Sequence, residues 1–416
     1  MHIPDLSSLC ESESHVVLLF DQAQNSSCLL GLGARRELLF EKSEPGILDA
    51  LEKFSKEGSS WTFGWFGYDL KNEIEKLETK NPDSLGHPVL AWWEPEIVIK
   101  FSDSSIEILS GDKDDPRILE ALKAINKKVE VKEYKGVGEM IWSWDKTKYL
   151  QAFDEVKQLI QNGDVYELNL CMPIKGHAPS NASWPLFCRL QHLTQSPFSG
   201  YLQCRSARIM SGSPERFLKL KGERLVSQPI KGTVRRGGST EEDNALLNAL
   251  QSSEKERAEN VMIVDLVRND LSRVAEKATV EVTDLCGIHS FETVHQMVST
   301  IECNLRQDKG LSDILRATFP MGSMTGAPKL SAMKHIDDIE LEGRGSYSGS
   351  IGYITPTGDF DFNVLIRSLF HNSKTEELAA KVGGAITSLS EANQEYDECL
   401  LKAEAIIKAV RNSSLS

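Results

Sequence analysis

The stretch FDFNVLIRSLF at residues 360–370 decides the fold class, because its apolar side chains recur at every second position. Phe360, Phe362 and Val364 lie on one face of the predicted strand and Arg367 lies on the other, the pattern of a strand with one buried face. An arginine among apolar neighbours predicts a buried guanidinium, the group best suited to hold a carboxylate through two hydrogen bonds. A structural salt bridge is the alternative explanation of the same arginine.

On both sides of this stretch, apolar residues recur either at every second position or with the period of a helix, and this mixture predicts an α+β protein. The predicted strands include HVVLLF, LLGLG, EIVIKF, SIEILSG, YELNLCMPI, ARIMSGSP, RFLKLKG, ATVEVTDL and YSGSIGYIT. The predicted helices cover residues 47–57, 146–162, 241–272, 312–317, 329–338 and 391–410. With 416 residues, length alone allows two or three domains.

Composition excludes several classes of protein. The formal net charge of −14 argues against DNA or an anionic membrane as the main partner. The eight cysteines are scattered without a C-x-x-C pair, so reduced thiols are expected rather than disulfides or a zinc site. The N-terminus resembles no signal peptide, and no apolar run approaches the roughly 20 residues that span a bilayer. We therefore expect a cytoplasmic protein without a membrane or nucleic-acid partner.

Two predicted helices carry acids beside their apolar stripes. Glu256 and Glu259 are three residues apart in one helix, as are Glu395 and Glu398 in another, where Lys402 lies one turn further on. Because an unpaired buried carboxylate is costly, these acids need a compensating charge. Together they suit Mg²⁺, which prefers one or two carboxylates, waters and an oxygen-rich ligand. Solvated helix faces are the alternative, which spacing alone favours.

Other residues predict an anion site or a general acid. Gly383 and Gly384 let backbone N–H groups approach an anion, although a strand-end bulge would also explain them. FPMGSMTGAPK at residues 319–329 is a turn ahead of a helix, typical of an anion-binding N-terminus. Glu215 follows a strand and would act as a general acid if burial raised its pKa, but such a turn residue is often simply exposed. His295 lies in an apolar run, where a histidine is more often structural than catalytic.

The stretch QPIKGTVRRGG at residues 228–238 places Lys231 in a constrained frame. Proline fixes φ on one side and glycine frees the backbone on the other, so the stretch predicts a shaped turn rather than a helix.

Taken together, these segments resemble the chorismate-utilising enzymes, the family of the anthranilate, aminodeoxychorismate, isochorismate and salicylate synthases. The resemblance covers the chain from about residue 149 to the end, in the family's order, and WFGYDL at residues 65–70 adds a match near the N-terminus. It implies one interwoven α+β unit, a two-sheet β-sandwich-like core with helices outside and the site between the sheets. Residues 1–140 would then be an N-terminal subdomain of the same unit, and residues 141–416 the chorismate-binding catalytic region. The matching stretches are SGSPERF, PIKGT, RAENVMIVDLVRNDLSRV, ETVHQMVS, FPMGSMTGAPK, GSYSGSIGY, NVLIRS, VGGAI and EYDECLLKAEA.

Within this family, the residue between Ile and Gly in PIKGT separates two branches. Anthranilate-forming members carry alanine there, whereas members that form 4-amino-4-deoxychorismate, the precursor of 4-aminobenzoate in folate synthesis, carry lysine. By this resemblance Lys231 is a nucleophile that attacks C2 of chorismate as the C4 hydroxyl leaves, before ammonia displaces it by attack at C4. An amine must lose its proton to attack, and we expect burial and the neighbouring Arg235 and Arg236 to lower the pKa of Lys231. Its alternative role is to pair with a substrate carboxylate.

The remaining roles follow position by position from the resemblance. Glu215 is similar to the acid that assists departure of the C4 hydroxyl, and Arg367, Tyr347 and the glycine amides are similar to a clamp on the enolpyruvyl carboxylate. The implied Mg²⁺ ligands are Glu259 and Glu398, with Glu256 and Glu395 acting directly or through water. The implied substrate-binding residues are Thr233, His295, Ser323, Thr325, Tyr347, Arg367, Gly383, Gly384 and Lys402.

Some residues differ from the usual family pattern, and these differences bear on which nucleophile the protein would use. Glu167 stands where amine-adding members usually have glutamine and water-adding members have lysine, which disfavours water as the nucleophile and leaves local proton transfer open. Val234 and Arg235 replace the usual Arg-Pro after GT. No Cys-His-Glu glutaminase arrangement occurs in the sequence, so ammonia is expected from a separate glutamine amidotransferase subunit or from free ammonium. The alternatives are component I of an anthranilate synthase and a non-catalytic chorismate-binding subunit.

Overall fold

Two large antiparallel sheets dominate the computed structural model, which describes residues 3–21, 27–58, 60–75, 77–129, 131 and 137–411. The helices of these residues are α1 Ser7–Ser12, α2 Ile47–Glu57, α3 Lys71–Glu75, α4 Pro116–Asn126, α5 Lys146–Asn162, α6 Ser183–Thr194, α7 Thr240–Ser252, α8 Glu254–Ser272, α9 Leu311–Thr318, α10 Lys329–Ile339 and α11 Ala392–Val410. The strands are β1 His15–Asp21, β2 Ser27–Leu32, β3 Arg36–Phe40, β4 Thr62–Phe66, β5 Leu90–Glu94, β6 Ile97–Ser102, β7 Ile106–Ser110, β8 Ile141–Trp142, β9 Glu167–His177, β10 Phe198–Cys204, β11 Ala207–Ser213, β12 Arg216–Lys221, β13 Arg224–Gln228, β14 Ile230–Arg235, β15 Glu281–Ser290, β16 Val294–Asn304, β17 Gly326–Ala327, β18 Ser350–Ile354, β19 Phe360–Val364, β20 Ser368–Asn372 and β21 Glu377–Ile386.

The first sheet has the strand order β17-β9-β21-β20-β11-β10-β1-β2-β6-β7, with β8 paired to β9. The second sheet has the order β14-β16-β13-β12-β19-β18-β4-β5-β3, with β15 paired to β16. Strands from the N-terminal 140 residues therefore enter both sheets. The predicted interwoven α+β fold with two sheets is confirmed.

Strand β1 shows why the core is continuous. Its side chains Val16 and Leu18 join the cluster that packs against α1, α4, α5, α6, α10 and α11. Val17 and Leu19 point the other way, into the cluster that joins both sheets with α2, α8 and α9. Because both faces of β1 are covered, HVVLLF is an unbroken apolar run rather than an alternating one.

The stretch at residues 360–370 is not one strand, so this part of the prediction is wrong. Strand β19 belongs to the second sheet and β20 to the first, and the chain crosses between them at residues 365–367. Alternation stops there, because Val364 and its neighbour Leu365 are both fully buried. Arg367 has φ of 51°, a left-handed conformation that ends the extended run at the crossing.

Two other local predictions also need correction. The helix predicted over residues 241–272 is divided into α7 and α8 at Ser253, whose side chain caps α8 by accepting a hydrogen bond from the N–H of Glu256. The predicted turn around Lys231 is part of β14, whose register against β16 shifts between Ile230 and Thr233. Gly232 has φ of 79° within this irregularity, so the glycine is required by a bulged strand rather than by a turn.

No helix in the described ranges is both long and apolar enough to cross a membrane. No disulfide joins the cysteines of that part of the chain, in agreement with their scattered spacing.

Candidate active site

Lys231 lies where the two sheets approach each other. Its Nζ, on β14 of the second sheet, donates a hydrogen bond of 3.0 Å to Oε1 of Glu167, the first residue of β9 in the first sheet. A second carboxylate oxygen, Oε2 of Glu259 on α8, lies 4.0 Å from the same nitrogen. The Lys231 side chain is only 10% exposed, so its charge is balanced mainly by these carboxylates.

The pKa of Lys231 is raised, and the predicted lowering is wrong. Burial does lower this pKa, but the charges of Glu167 and Glu259 and the hydrogen bond to Glu167 outweigh it. Arg235 and Arg236, which were expected to help lower it, instead donate hydrogen bonds to carboxylates on α7 and are not among the main causes of the pKa shift of Lys231. Lys231 is therefore a buried ammonium that needs a proton acceptor before it can attack carbon.

Glu215 is buried in the turn between β11 and β12. Burial raises its pKa to about 7, against the lowering effects of a hydrogen bond from Ser323 and the charges of Lys231 and Arg367. The Ser323 hydroxyl donates this hydrogen bond to Oε1 over 2.9 Å. A carboxyl group with this pKa holds a proton over much of the neutral range and can give it to a leaving oxygen.

The four acids predicted on two helices converge on one region. Glu256 and Glu259 project from α8, and Glu395 and Glu398 project from the first turns of α11. Burial raises the pKa of Glu256, and the charge of Glu398 raises it further, so acids from the two helices act on each other. Burial also raises the pKa of Glu259 to about 7. The cluster is therefore not a pair of solvated helix faces.

Two lysines compensate part of this negative charge. Lys255 donates a hydrogen bond of 2.7 Å to Oε1 of Glu395, and its nitrogen lies 3.8 Å from Oε1 of Glu259. Lys402 lies 2.7 Å from Oε1 of Glu398 and donates to the backbone carbonyl of Gly383 over 2.8 Å. Lys255 therefore links α8 to α11, and Lys402 links α11 to the first sheet.

The acids fit a hard divalent cation. Oε1 of Glu259 is buried and has no hydrogen-bond partner among the described residues. Burial raises the pKa of Glu256 and of Glu259 even though Lys231 and Lys255 act against it, so a further cation near these carboxylates would stabilise their charged forms. Carboxylate oxygens are hard donors, and one or two of them together with waters and a ligand oxygen are what Mg²⁺ prefers.

Arg367, Gly383 and Gly384 are the residues predicted to bind an anion. No carboxylate in the described part of the chain makes a salt bridge with the Arg367 guanidinium, so the structural salt bridge considered above is absent there. Gly383 and Gly384 pair in continuous register with Cys171 and Leu170 of β9, without the bulge considered as their alternative. A Cβ on Gly384 would lie 3.3 Å from Oε2 of Glu395, so glycine keeps the strand close to the acids.

For the remaining predicted substrate-binding residues, the structure shows local contacts with neighbouring residues. Tyr347 is buried, and its hydroxyl lies 3.6 Å from the Cys171 sulfur. Thr325 is buried and donates to the Met321 carbonyl, while Thr233 follows the irregular part of β14. His295 is held by Asp243 at 3.0 Å through Nε2 and by Ser290 at 2.7 Å through Nδ1.

Sequence analysis missed Lys255 as part of the site. Its signal was present, because Lys255 is four residues before Glu259 and neighbours Glu256. The pairing of His295 with Asp243 joins residues 52 positions apart and has no local signal.

Comparison with known proteins gives a family match over most of the chain. Residues 15–408 match the model of the family described as chorismate binding enzyme. An anthranilate synthase component I-like protein of Synechocystis is 33% identical over 350 residues, which cover 83% of this chain and 72% of that protein. Aminodeoxychorismate synthase component 1 of Escherichia coli is 33% identical over 348 residues, covering 83% of this chain and 76% of that protein. The chain spans half or less of the length of the Streptomyces and plant aminodeoxychorismate synthases that it also matches.

The fold has a similar solved structure as well. Anthranilate synthase component I from Streptococcus pneumoniae superposes with a TM-score of 0.81 at 25% identity, covering 94% of each chain. The family match spans nearly the whole chain, and the two-sheet fold agrees with it. The chain therefore belongs to the chorismate binding enzyme family.

Proposed function

We propose that this chain is component I of an aminodeoxychorismate synthase, which converts chorismate and ammonia into 4-amino-4-deoxychorismate. The observation that carries the proposal is the buried Lys231 ammonium between Glu167 and Glu259, close enough to Glu215 to affect its pKa. The name of the Escherichia coli relative supports the same activity. The names of the Synechocystis relative and the Streptococcus structure make anthranilate the product against which it must be tested.

The first step needs an acid and a nucleophile. Glu215 would give its proton to the C4 oxygen, which leaves as water while the two ring double bonds shift. Lys231 would form the new bond to C2, and the proton it loses would pass to Glu167, whose Oε1 already accepts its hydrogen bond at 3.0 Å. In the second step ammonia bonds to C4, the two double bonds shift back, and the bond between C2 and Lys231 breaks. The proton released by the new amine returns to Lys231, and the proton on Glu167 returns to Glu215 before the next turnover.

The charged residues around this centre would bind the two carboxylates of chorismate. Among the described residues no carboxylate forms a salt bridge with Arg367, so its guanidinium suits the enolpyruvyl carboxylate. Tyr347 and the amides of Gly383 and Gly384 would bind the same carboxylate. Lys402 suits the ring carboxylate. Glu259 and Glu398 would hold Mg²⁺, with Glu256 and Glu395 beside them. When bound, Mg²⁺ would supply the positive charge that lets these acids face an anionic ring.

Ammonia would come from a separate glutamine amidotransferase subunit, and the words "component 1" in the name of the Escherichia coli relative support a second component. The absence of disulfides among the described cysteines is compatible with the reducing cytoplasm, where we place the reaction.

The deciding experiment is product identification. The purified chain is incubated with chorismate, MgCl₂ and ammonium chloride above neutral pH, and the product is separated and identified by mass and by conversion to 4-aminobenzoate with an added lyase. Aminodeoxychorismate supports the proposal. Anthranilate would contradict it and assign the chain to the other branch of the family, and no magnesium-dependent turnover would leave only a chorismate-binding subunit.

The substitution Lys231→Ala tests the nucleophile. Loss of the attacking amine should slow formation of aminodeoxychorismate on the order of a hundredfold or more, or redirect ammonia to C2. Initial rates and product identity measure both outcomes, with Lys175→Ala as the control because Lys175 is half exposed and pairs with Glu342 away from the site. An unchanged rate and product in Lys231→Ala would exclude the nucleophilic role.

A further inference from the structure

His15, Glu37 and Cys204 form a cluster of metal-ligating side chains outside the proposed active site. His15 is the first residue of β1 and Cys204 is the last residue of β10, and the two residues are paired across these strands of the first sheet. Glu37 lies on β3, the strand at one end of the second sheet. One ligand atom from each of the three residues lies within 4.8 Å of the other two. The cluster therefore joins the two sheets at a place that the proposed reaction does not use.

The distances in this cluster are close to the edges of a tetrahedral zinc site. Nε2 of His15 lies 3.3 Å from Sγ of Cys204 and 3.2 Å from Oε2 of Glu37. Zinc bonds of about 2.0–2.1 Å to nitrogen and oxygen and about 2.3 Å to sulfur would place these two pairs about 3.6 Å and about 3.3 Å apart. Small shifts of the three side chains would therefore let one ion bind all three atoms.

Hydrogen bonds are the alternative explanation of these contacts, but one ring nitrogen cannot satisfy both partners well. Nε2 of a neutral imidazole carries either one N–H or one lone pair, which lies in the plane of the ring. An N–H directed at Glu37 leaves the Cys204 sulfur without that donor, whereas a lone pair directed at Glu37 faces the charge of its carboxylate. A cation at this point would attract all three ligand atoms at once.

Neighbouring groups hold the ligands in positions that suit a metal. Arg205 donates a hydrogen bond to Oε1 of Glu37, which orients the carboxylate and leaves Oε2 directed at His15. Arg205 is 60% exposed, so water weakens its repulsion of a cation. The Ser14 hydroxyl lies 2.9 Å from Nδ1 of His15 and can accept a hydrogen bond from its N–H, which leaves the Nε2 lone pair for a metal. The Glu37 side chain is 30% exposed, so water can reach the ion as a fourth ligand.

The donor set selects the metal. Imidazole, thiolate and carboxylate are all ligands of zinc, whereas Mg²⁺ and Ca²⁺ prefer oxygen donors alone. We propose that His15, Cys204 and Glu37 bind one Zn²⁺ ion, which joins β3 of the second sheet to β1 and β10 of the first. Zinc takes the place of the Cys204 thiol proton, which is released to solvent. The spacing of the cysteines gave no sign of this site, because its ligands come from three strands and include a single cysteine.

Cobalt tests the site, because it replaces zinc and makes a thiolate ligand visible. The full chain is freed of metal with EDTA, kept reduced, and titrated with CoCl₂ in excess MgCl₂, which competes for the acids of α8 and α11. The wild type should bind one Co²⁺ with the visible absorption of tetrahedral cobalt and a near-ultraviolet thiolate charge-transfer band, and ZnCl₂ should abolish both signals. Cys204→Ala should lose the charge-transfer band. Cys303→Ala is the matched control and should keep it, because Cys303 is fully buried on β16 but is not one of the proposed ligands.

Zinc affinity and thermal unfolding provide a second measurement that leaves Cys204 in place. Glu37→Gln removes the carboxylate at a partly exposed position, where the fold should tolerate the change. The Kd for Zn²⁺, measured by competition with a chelating dye, should rise by at least the roughly 10–100-fold that loss of an outer-shell partner costs. One equivalent of ZnCl₂ should raise the Tm of the wild type and of Cys303→Ala, and should raise that of Glu37→Gln less.

A charge-transfer band that is absent from the wild type, or that persists in Cys204→Ala, would overturn the proposal. If Cys204→Ala does not fold, as judged by circular dichroism, Glu37→Gln decides the matter. An unchanged Kd for Zn²⁺ in Glu37→Gln would show that zinc binds elsewhere and that hydrogen bonds alone join these three residues.

Discussion

Ser323 lowers the pKa of Glu215 through a hydrogen bond, acting against the larger effect of burial. Its hydroxyl donates to the ionised carboxylate, so it lowers the pKa that burial raises to about 7. In Ser323→Ala this pKa should rise, because the charged form loses its donor while burial remains. If Glu215 must be protonated to release the C4 hydroxyl, kcat/KM falls as pH rises through this pKa. The alkaline limb of the pH profile should therefore move to higher pH in the variant.

The matched control for this profile is Ser331→Ala, since the Ser331 hydroxyl donates to the Asp164 carbonyl at the surface. Its profile should coincide with that of the wild type. A limb that moves to lower pH in Ser323→Ala, or does not move, would mean that Glu215 is not the group whose proton limits the reaction.

Lys231 shows which part of a site can be predicted from its residue types. Motifs, spacing and the family resemblance singled out the lysine, the acid Glu215 and the four helix acids, and the structure brings them near one another. The direction of the Lys231 pKa was predicted incorrectly, because the carboxylates that decide it come from β9, 64 residues earlier, and from α8. Arg235 and Arg236, four and five residues further along the chain, donate hydrogen bonds to Glu242 and Asp243 on α7, so sequence neighbours were a poor guide to electrostatic neighbours.

At the scale of the elements, helices α8 and α11 are joined by Lys255. Its ammonium lies 2.7 Å from Glu395, which is almost fully buried, and 3.8 Å from Glu259. In Lys255→Met without metal, the free energy of unfolding should fall by about 1–2 kcal/mol, less than for a fully buried pair because Lys255 is partly exposed. Mg²⁺ would replace the missing charge, so the difference from the wild type should shrink when it is added.

Urea unfolding in EDTA and in MgCl₂ measures this effect. Lys408→Met serves as the control, because Lys408 pairs with Glu404 on the exposed face of α11 and such pairs contribute about 0–1 kcal/mol. An equal loss in EDTA and in MgCl₂ would argue that Mg²⁺ does not bind among these acids.

The helices and strands also show which structural features the periodicity of apolar residues does not predict. Helix α2 has the bounds that its amphipathic pattern predicts, and α5 does too, because each ends at a glycine or a capping residue. The break between α7 and α8 was missed although Ser253 and Glu256 form the spacing of a helix start. The crossing between β19 and β20 could not be foreseen, since alternation records which face is buried and not which sheet a strand joins.

At the scale of the whole molecule, the N-terminal 140 residues are structural parts of both sheets. Strand β1 lies between β10 and β2 in the first sheet, and β4 lies between β18 and β5 in the second. Aromatic contacts follow the same pattern, because Phe362 packs edge-on against both Phe66 and Trp92. The proposed catalytic residues are nevertheless all located after residue 140, so the subdomain boundary suggested by sequence motifs differs from the boundary suggested by packing.

Residues 141–416 expressed alone test whether the catalytic region can fold without the N-terminal strands. Removing the first 140 residues would leave β10 and β18 with unpaired edges and expose the apolar surfaces that Phe66 and Trp92 cover. We expect this fragment to aggregate or to unfold without a cooperative transition, and we expect co-expression with residues 1–140 to restore both cooperative unfolding and chorismate binding. Thermal unfolding and chorismate titration of the fragment, the fragment pair and the full chain distinguish the outcomes. A fragment that unfolds cooperatively and binds chorismate as tightly as the full chain would show that residues 141–416 are an independent domain and that the N-terminal strands only extend its sheets.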